Sequence, residues 1–92
     1  MNQPNYGSFS THVEFEGEST FLTVHPEMYQ AKNGIKPSGR YFIYCIHPVR
    51  GSFTFIIEQD EHGTWFSENI PTFIDEKLIV LLGYKISMTP YA

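Results

Sequence analysis

Apolar and polar residues alternate along much of the first two thirds of the chain, which is the period-two pattern of half-buried β-strands. The clearest case is residues 11–16, where Thr, Val and Phe alternate with His and two Glu. A turn at residues 16–19 leads to a second strand at residues 21–24, which Pro26 ends. The pattern therefore predicts an N-terminal β-hairpin with one polar face.

Residues 41–46 are apolar on both alternating faces of the predicted strand. Such a strand is typical of the middle of a sheet, so we expect residues 41–46 to be central and covered on both faces. Two further strands follow at residues 53–57 and 64–66, after turns at residues 47–51 and 60–63. The latter turn contains Asp60 and Gly63, which are residue types that favour tight turns.

Two segments have helical signals. Residues 72–82 begin with Thr72 as a cap, have Asp75 three residues later, and contain an apolar run before Gly83. Residues 26–33 form either a helix of about two turns that starts at Pro26 or part of a loop that continues to Gly39.

The last predicted element is a strand. Tyr84, Ile86 and Met88 alternate with polar residues, and Pro90 ends the pattern. Together the elements predict an α+β fold, an antiparallel meander of five to six strands with one C-terminal helix (about 72–82) packed on one face. We expect residues 1–8 to form a flexible tail and residues 9–92 a single small domain.

Composition narrows the possible functions. Aromatic residues make up 16% of the chain, charged residues only 17%, and the net charge is −4. No two of the six Lys and Arg residues are adjacent and the chain is acidic overall, which argues against a nucleic-acid surface even though three of them precede the aromatic strand at residues 41–46. Cys45 is the single cysteine, so no intrachain disulfide forms. The sequence shows neither a signal peptide nor an apolar run long enough to span a membrane, and we therefore expect a cytoplasmic location.

His12, Glu14 and Glu16 are the metal-ligand candidates, because they share one face of the first strand. A metal site needs three or four converging ligands, commonly from several elements. The simpler interpretation is a solvated polar face of the hairpin, which we favour. We therefore expect no metal and no other cofactor.

Histidines are the residues best suited to acid–base chemistry near neutral pH. His25 and His47 both precede proline at strand ends and could converge near His62, which would suit a hydrolase-like enzyme using His and carboxylates. However, His-Pro is ordinary turn chemistry, and Cys45 lies in the middle of a strand without an activating neighbour. We therefore interpret the chain as non-enzymatic and keep the enzyme as a third hypothesis.

The aromatic residues exceed what one small core can hold, so some of them should be exposed and mark a partner surface. The candidates are Phe9, Phe21, Phe73, Tyr84 and Tyr91. The leading hypothesis is a non-enzymatic protein–protein interaction module that self-associates as a dimer, or that binds another protein. The alternative is a small-ligand-binding domain with an aromatic-lined pocket between helix and sheet.

Overall fold

The computed structural model of the chain describes residues 8–88. Within them, a single antiparallel sheet has the strand order β1-β2-β3-β4-β5 and is followed by one helix. The bounds are Phe9–Phe15 (β1), Glu18–Ala31 (β2), Gly34–His47 (β3), Gly51–Gln59 (β4), Trp65–Phe66 (β5) and Glu76–Ser87 (α1). The predicted α+β meander with a C-terminal helix is confirmed. Residues 1–7 of the predicted tail, and Pro90 and Tyr91, lie outside the described residues.

The turn between β1 and β2 has only two residues, Glu16 and Gly17, with φ of 54° and 76°. Positive φ at both positions is the type I′ geometry, whose twist matches that of the flanking strands. Phe15 and Glu18 therefore face each other across the hairpin. This turn fixes the register, so that Val13 and Phe15 point into the core and His12 and Glu14 point outward.

Residues 26–39 are neither a helix nor a loop, and both predictions for this segment are wrong. Strands β2 and β3 continue through them and pair from Met28 with Pro37 to Ala31 with Gly34. Of the Asn-Gly pair that resembled a helix stop, Asn33 lies in the two-residue turn between β2 and β3, and Gly34 begins β3 with a φ of 121°. Asn and Gly favour both helix ends and hairpin turns. The ladder is irregular between Pro26 and Met28.

Strand β3 is central, as expected, but only one of its faces is buried, so the prediction of cover on both sides is wrong. Tyr41, Ile43 and Cys45 are at most 5% exposed. The alternating residues on the other face are 41–46% exposed, namely Phe42, Tyr44 and Ile46. One helix covers one face of the sheet, and no other described segment covers the second.

The core lies between the inner face of the sheet and α1. The strands contribute mainly aliphatic and aromatic side chains, with Leu22, Val24, Phe55 and Ile57 at 0–1% exposure. The helix contributes side chains at a spacing near 3.6 residues, which are Leu78, Ile79, Leu82 and Ile86. This periodicity places one stripe of the helix against the sheet.

The helix begins later and ends later than the sequence predicts. Asp75, and not Thr72, is its N-cap, and the Asp75 Oδ1 accepts the N–H of Lys77 at 2.8 Å. Gly83 lies inside the helix, where an added Cβ would be only 2.4 Å from the Trp65 ring. Gly83 therefore permits close packing and does not end the helix. The predicted strand at residues 84–88 is wrong because α1 continues to Ser87.

Candidate interaction surfaces

The outer face of the sheet carries an exposed apolar band across three central strands. Cross-strand neighbours on this face include Phe21 with Ile46, His25 with Phe42, and Phe42 with Ile56. We call the following set the outer band: Phe21, Thr23, His25, Phe42, Tyr44, Ile46, Thr54 and Ile56. None of its members is an acidic residue, a lysine or an arginine. Contiguous exposed apolar surface of this kind is typical of interaction sites.

Charged residues border the outer band at the end towards the β2–β3 hairpin tip. The Arg40 guanidinium donates to the Glu27 carboxylate at 3.1 Å and lies 3.6 Å from the Glu58 carboxylate. These side chains are partly exposed, so the ion pairs contribute little to folding stability. They give the band a polar rim, which is the usual anatomy of a protein–protein interface.

A shallow groove of about 300 Å³ lies within the outer band, between His25, Phe42, Tyr44 and Ile56. Asn69 forms one wall, and its Oδ1 accepts the Ile56 backbone N–H at 3.0 Å. The Ser67 hydroxyl donates to the Ile56 carbonyl at 2.5 Å. Ser67 and Asn69, which follow β5, therefore supply hydrogen-bond partners for the β4 backbone where no strand pairs with it.

The opposite edge of the sheet is β1, which has one neighbouring strand, β2, within the described residues. Phe15 and Glu18 flank a two-residue turn, and such a pair exchanges backbone hydrogen bonds. Alternation along β1 then directs the backbone N–H and C=O groups of Ser10, His12 and Glu14 away from β2.

An exposed stripe of α1 runs beside the β1 edge. Tyr84 and Met88 line a shallow cavity with Phe9 at the start of β1, and Leu81 lines another with Phe15 at its end. Leu81, Tyr84 and Met88 are 40%, 63% and 67% exposed. We call these three residues the helix stripe.

The sequence candidates for an interaction surface separate into three locations. Phe9 and Tyr84 meet beside the β1 edge, and Phe21 belongs to the outer band. Phe73 instead packs against the core and lies under the Arg50 guanidinium, 4.1 Å from ring centroid to Cζ. Tyr91 is outside the described residues.

The interaction-surface candidates from the sequence did not include Phe42, Tyr44 and Ile46, because both faces of β3 were expected to be covered, the second by the N-terminal hairpin or by another subunit. The single predicted helix could have indicated that one face of β3 is exposed, since one helix covers only one face of a sheet.

The metal-ligand candidates His12, Glu14 and Glu16 are all exposed. His12 packs edge-on against Phe21 on the outer face, with ring centroids 5.3 Å apart. Glu16 belongs to the β1–β2 turn and pairs with Arg50, whose Nη2 donates to Oε2 at 2.7 Å. No group of three His, Cys, Asp or Glu residues with metal-binding geometry occurs in residues 8–88.

The Glu16–Arg50 pair joins the β1–β2 turn to the β3–β4 turn. Hydrogen bonds from Arg50 lower the pKa of the Glu16 carboxyl below its ordinary 4.5, and the same contact raises the pKa of Arg50. The guanidinium also covers the Phe73 ring. Arg50 therefore connects the two turns to the segment that precedes the helix.

The three histidines His25, His47 and His62 lie in separate environments. His25 bonds to the Thr23 hydroxyl on the outer face, and His62 lies in the β4–β5 turn beside Glu61. His47 is buried at the end of β3.

The hydrogen bonds of the His47 ring stabilise the fold. Its Nδ1 accepts the backbone N–H groups of Val49 and Arg50 at 3.1 and 3.0 Å. Its Nε2 lies 3.2 Å from the Phe15 carbonyl oxygen and donates to it, because Nδ1 serves as the acceptor. Both ring nitrogens are thus occupied in holding two turns together.

Cys45 is on the inner face of β3 and is 1% exposed. Burial raises the pKa of its thiol to about 12. A thiol with such a high pKa carries almost no thiolate at neutral pH, so Cys45 behaves as a small apolar core residue.

A fourth cavity, of about 420 Å³, lies between α1 and β5. Trp65 and Phe66 line one side, and Ile79 and Val80 of the helix line the other. Glu76, Ser67 and Thr64 supply polar groups at its margin.

Comparisons of the chain with protein-family models, characterised proteins and solved structures found no match. Among the described residues, no helix is long and apolar enough to cross a membrane. A proposal for the function of this chain therefore rests on the geometry of these surfaces.

Proposed function

We propose that this chain is a non-enzymatic protein–protein interaction module that associates with a second copy of itself through the outer band. The observation that carries the proposal is the exposure of Phe42, Tyr44 and Ile46, which form an uncharged stretch on one face of a central strand. A central strand is the most rigid part of a small sheet, so it presents these side chains in a fixed arrangement. Two such faces can pack as in a β-sandwich, with their aromatic side chains interdigitated.

The size of the outer band fits the centre of an interface. Three strands of about 4.8 Å each and five residues of about 3.3 Å each give a plan of roughly 14 Å by 17 Å. A standard interface takes about 800 Å² of accessible surface from each partner. The band would therefore form the apolar core, and the rim around Arg40, Glu27 and Glu58 would supply the remaining polar contacts.

The free energies involved favour a reversible dimer. Burying roughly 250 Å² of apolar surface on each copy contributes about 12 kcal/mol at 25 cal/mol per Å². Association costs about 4–15 kcal/mol in lost translational and rotational freedom. Only with an association cost at the low end of this range does a net of about −8 kcal/mol remain, so we expect a dissociation constant that is micromolar or weaker, and a monomer that also folds.

Sedimentation velocity over a range of concentrations tests the proposal. The wild-type chain should shift from its monomer mass of 10.6 kDa to at least twice that value as concentration rises. Tyr44→Lys places a charge at the centre of the band and should remove the part of this association that uses the band, while leaving the circular dichroism spectrum unchanged.

The matched control is Val49→Lys, because Val49 is an equally apolar and even more exposed residue in the β3–β4 turn, outside the band. This control should associate as the wild type does. A wild-type chain that stays monomeric at every concentration, or a Tyr44→Lys chain that associates normally, would contradict the proposal.

A second candidate function is binding of a small apolar ligand in the cavity between α1 and β5. The observation that favours it is the aromatic lining by Trp65 and Phe66 beside exposed Val80. Trp65 is the single tryptophan, so its fluorescence reports directly on the cavity. An apolar naphthalene dye should change this fluorescence with one-site saturation, and Val80→Arg should remove the effect. Unsaturable or unchanged fluorescence would count against this candidate.

Two features support a non-enzymatic role. His25, His47 and His62 lie in separate environments, and the thiol of Cys45 is buried with a raised pKa. The amino-acid composition, with one cysteine, leaves the cytoplasm as the expected location.

A further inference from the structure

We infer that β1 of one copy pairs antiparallel with β1 of a second copy, about a two-fold axis at His12. This contact uses the edge of the sheet, which is separate from the outer band, and does not depend on the function proposed above. It would join two five-stranded sheets into one sheet of ten strands.

The backbone of β1 offers the groups that such pairing needs. Ser10, His12 and Glu14 direct their N–H and C=O groups towards the free edge. His12 is the middle residue of β1, so a two-fold axis there places Ser10 opposite the partner's Glu14, His12 opposite the partner's His12, and Glu14 opposite the partner's Ser10. Each of these three residue pairs can exchange two backbone hydrogen bonds.

The side chains of β1 are compatible with this register. On the inner face, Phe9 lies opposite the partner's Phe15, which is a favourable aromatic pair. The Glu14 carboxylates of the two copies lie four residues apart along the strands, about 13 Å. An axis at Glu14 would instead place the two carboxylates directly opposite each other, which is destabilising. The sequence thus favours the axis at His12.

Within residues 8–88, strand β1 itself has few of the features that usually prevent edge pairing, although the Lys85 ammonium of α1 lies 3.5 Å from the Thr11 hydroxyl beside this edge. Proteins protect exposed edges with lysine, proline or a β-bulge. Strand β1 contains no lysine and no proline, and its pairing with β2 is regular from Phe9 to Phe15. The Thr11 hydroxyl lies 3.5 Å from the His12 carbonyl, which is too long to compete with a strand hydrogen bond.

The helix stripe provides an independent second observation. Leu81, Tyr84 and Met88 are exposed and lie beside the same edge, on the inner side of the sheet. A two-fold axis through a pair of antiparallel strands is perpendicular to the sheet, so both helices lie on one side of it. The two stripes would therefore approach each other and bury apolar surface beyond that of the strands.

The two contacts together predict a larger assembly. The edge contact and the outer-band contact are both isologous, and they involve different faces of the molecule. Two different two-fold contacts in one chain close into a tetramer with D2 symmetry where their axes intersect at right angles, and otherwise build an open chain of copies.

His12→Pro tests the edge contact by removing the backbone N–H at the axis. The substitution is compatible with the fold, because proline is tolerated on edge strands where the N–H faces solvent. Two-fold symmetry removes the hydrogen bond from both copies, so the dissociation constant of the edge contact should rise at least about tenfold. The matched control is His12→Ala, which loses the imidazole but keeps the N–H and should retain the edge contact.

Combining variants separates this inference from the proposed function. In the Tyr44→Lys background the outer band is disabled, so association that remains and is lost on His12→Pro belongs to the edge. If the proposed outer-band contact is wrong, Tyr44→Lys changes nothing and His12→Pro alone produces monomers. If the edge contact is wrong, His12→Pro associates as the wild type does.

Amide hydrogen exchange of the wild-type chain gives a test that needs no variant to fold. The amides of Ser10, His12 and Glu14 should exchange at least about tenfold more slowly in the associated state than after dilution. Tyr84→Lys, on the exposed helix stripe, should reduce this protection. Edge amides that exchange equally fast in both states would overturn the inference, even if the protein associates through its outer band.

Discussion

The two faces of strand β3 are almost equally apolar in sequence, and they have opposite environments. Tyr41, Ile43 and Cys45 on the inner face contact the helix and the neighbouring strands and are almost completely buried. The alternating Phe42 and Tyr44 on the outer face are 41% exposed. Side-chain hydrophobicity therefore does not distinguish the two sets.

The difference arises from what lies above each face. The inner face is covered by α1 and by the segment around Phe73 and Ile74, which the Arg50 contacts hold in place. The outer face has no cover among the described residues. An apolar residue on the inner face thus serves folding, whereas an apolar residue on the outer face is available for association.

The largest expected effect compares aspartate substitutions on the two faces. Ile43→Asp should prevent folding, because an unpaired buried carboxylate costs several kcal/mol, a large part of the stability of a small domain. Phe42→Asp should fold and lose association only. The burial of both faces expected from the sequence would predict unfolding in both cases. Thermal denaturation followed by circular dichroism distinguishes them, and an unfolded Phe42→Asp chain would remove the contrast between the faces.

The next comparison concerns the two sides of the helix. Leu78→Ala should lower the free energy of unfolding by about 2–5 kcal/mol, because Leu78 is buried against the sheet. The control Val80→Ala, on the exposed side of the same helix, should change it by less than about 0.5 kcal/mol. Urea titration measures both values. Similar losses for the two variants would show that the helix does not cover the inner face as described.

Gly83→Ala tests whether close packing between the helix and the sheet requires glycine at this position. At an exposed position inside a helix this substitution stabilises by about 1 kcal/mol. At Gly83 the new Cβ would overlap the Trp65 ring, and we expect destabilisation by about 1–3 kcal/mol instead. Urea titration with Trp65 fluorescence measures the sign, and a stabilised variant would show that Trp65 moves aside without loss.

Asp75→Ala and Thr72→Ala identify the residue that caps the helix. Asp75 accepts the Lys77 N–H, so its loss should reduce the free energy of unfolding by about 1 kcal/mol. Thr72 is exposed and lies three residues before the cap, so Thr72→Ala should have almost no effect. A larger loss of unfolding free energy for Thr72→Ala than for Asp75→Ala in a urea titration would show that Thr72 is the N-cap.

The smallest expected effect concerns the Glu16–Arg50 pair, which lies beside the segment that covers the inner face of the sheet. Because Arg50 lowers the pKa of Glu16 in the folded state, the pair stabilises the protein above the ordinary pKa of 4.5. This contribution is lost as pH falls below 4.5 through the lower folded-state pKa.

Glu16→Gln should therefore lower Tm slightly at neutral pH, and the difference from wild type should disappear in acid. The solvent-exposed setting of the pair keeps the effect small. Scanning calorimetry at several pH values measures it. A difference from wild type that persists or grows in acid would contradict this assignment.

Local sequence signals determined most of the secondary structure. Alternation at residues 11–16 and 53–57 gave the strand registers, and a two-residue turn with Gly17 closed the first hairpin. The long apolar run identified the helix and the fold class. These signals involve residues that are close together in the sequence. They can therefore be recognised without knowing which distant segments pair with a strand or pack on it.

The tertiary structure decided what depends on distant segments. Asn33–Gly34 is compatible with a helix stop or a hairpin turn, and only the pairing of β2 with β3 selects the turn. Gly83 resembles a helix end, but the Trp65 ring packed on it shows why a glycine occurs inside α1.

The same holds for the candidate site. A strand that is apolar on both faces contains no polar register to show which face is covered, so the exposure of Phe42 and Tyr44 became visible only with the position of α1. Phe9 and Tyr84 are 75 positions apart and share no sequence signal, yet the path of the helix beside β1 brings them together. The physical reason is that residue type determines local conformation and the tendency to be buried, whereas burial itself requires a second surface that the chain must fold to provide.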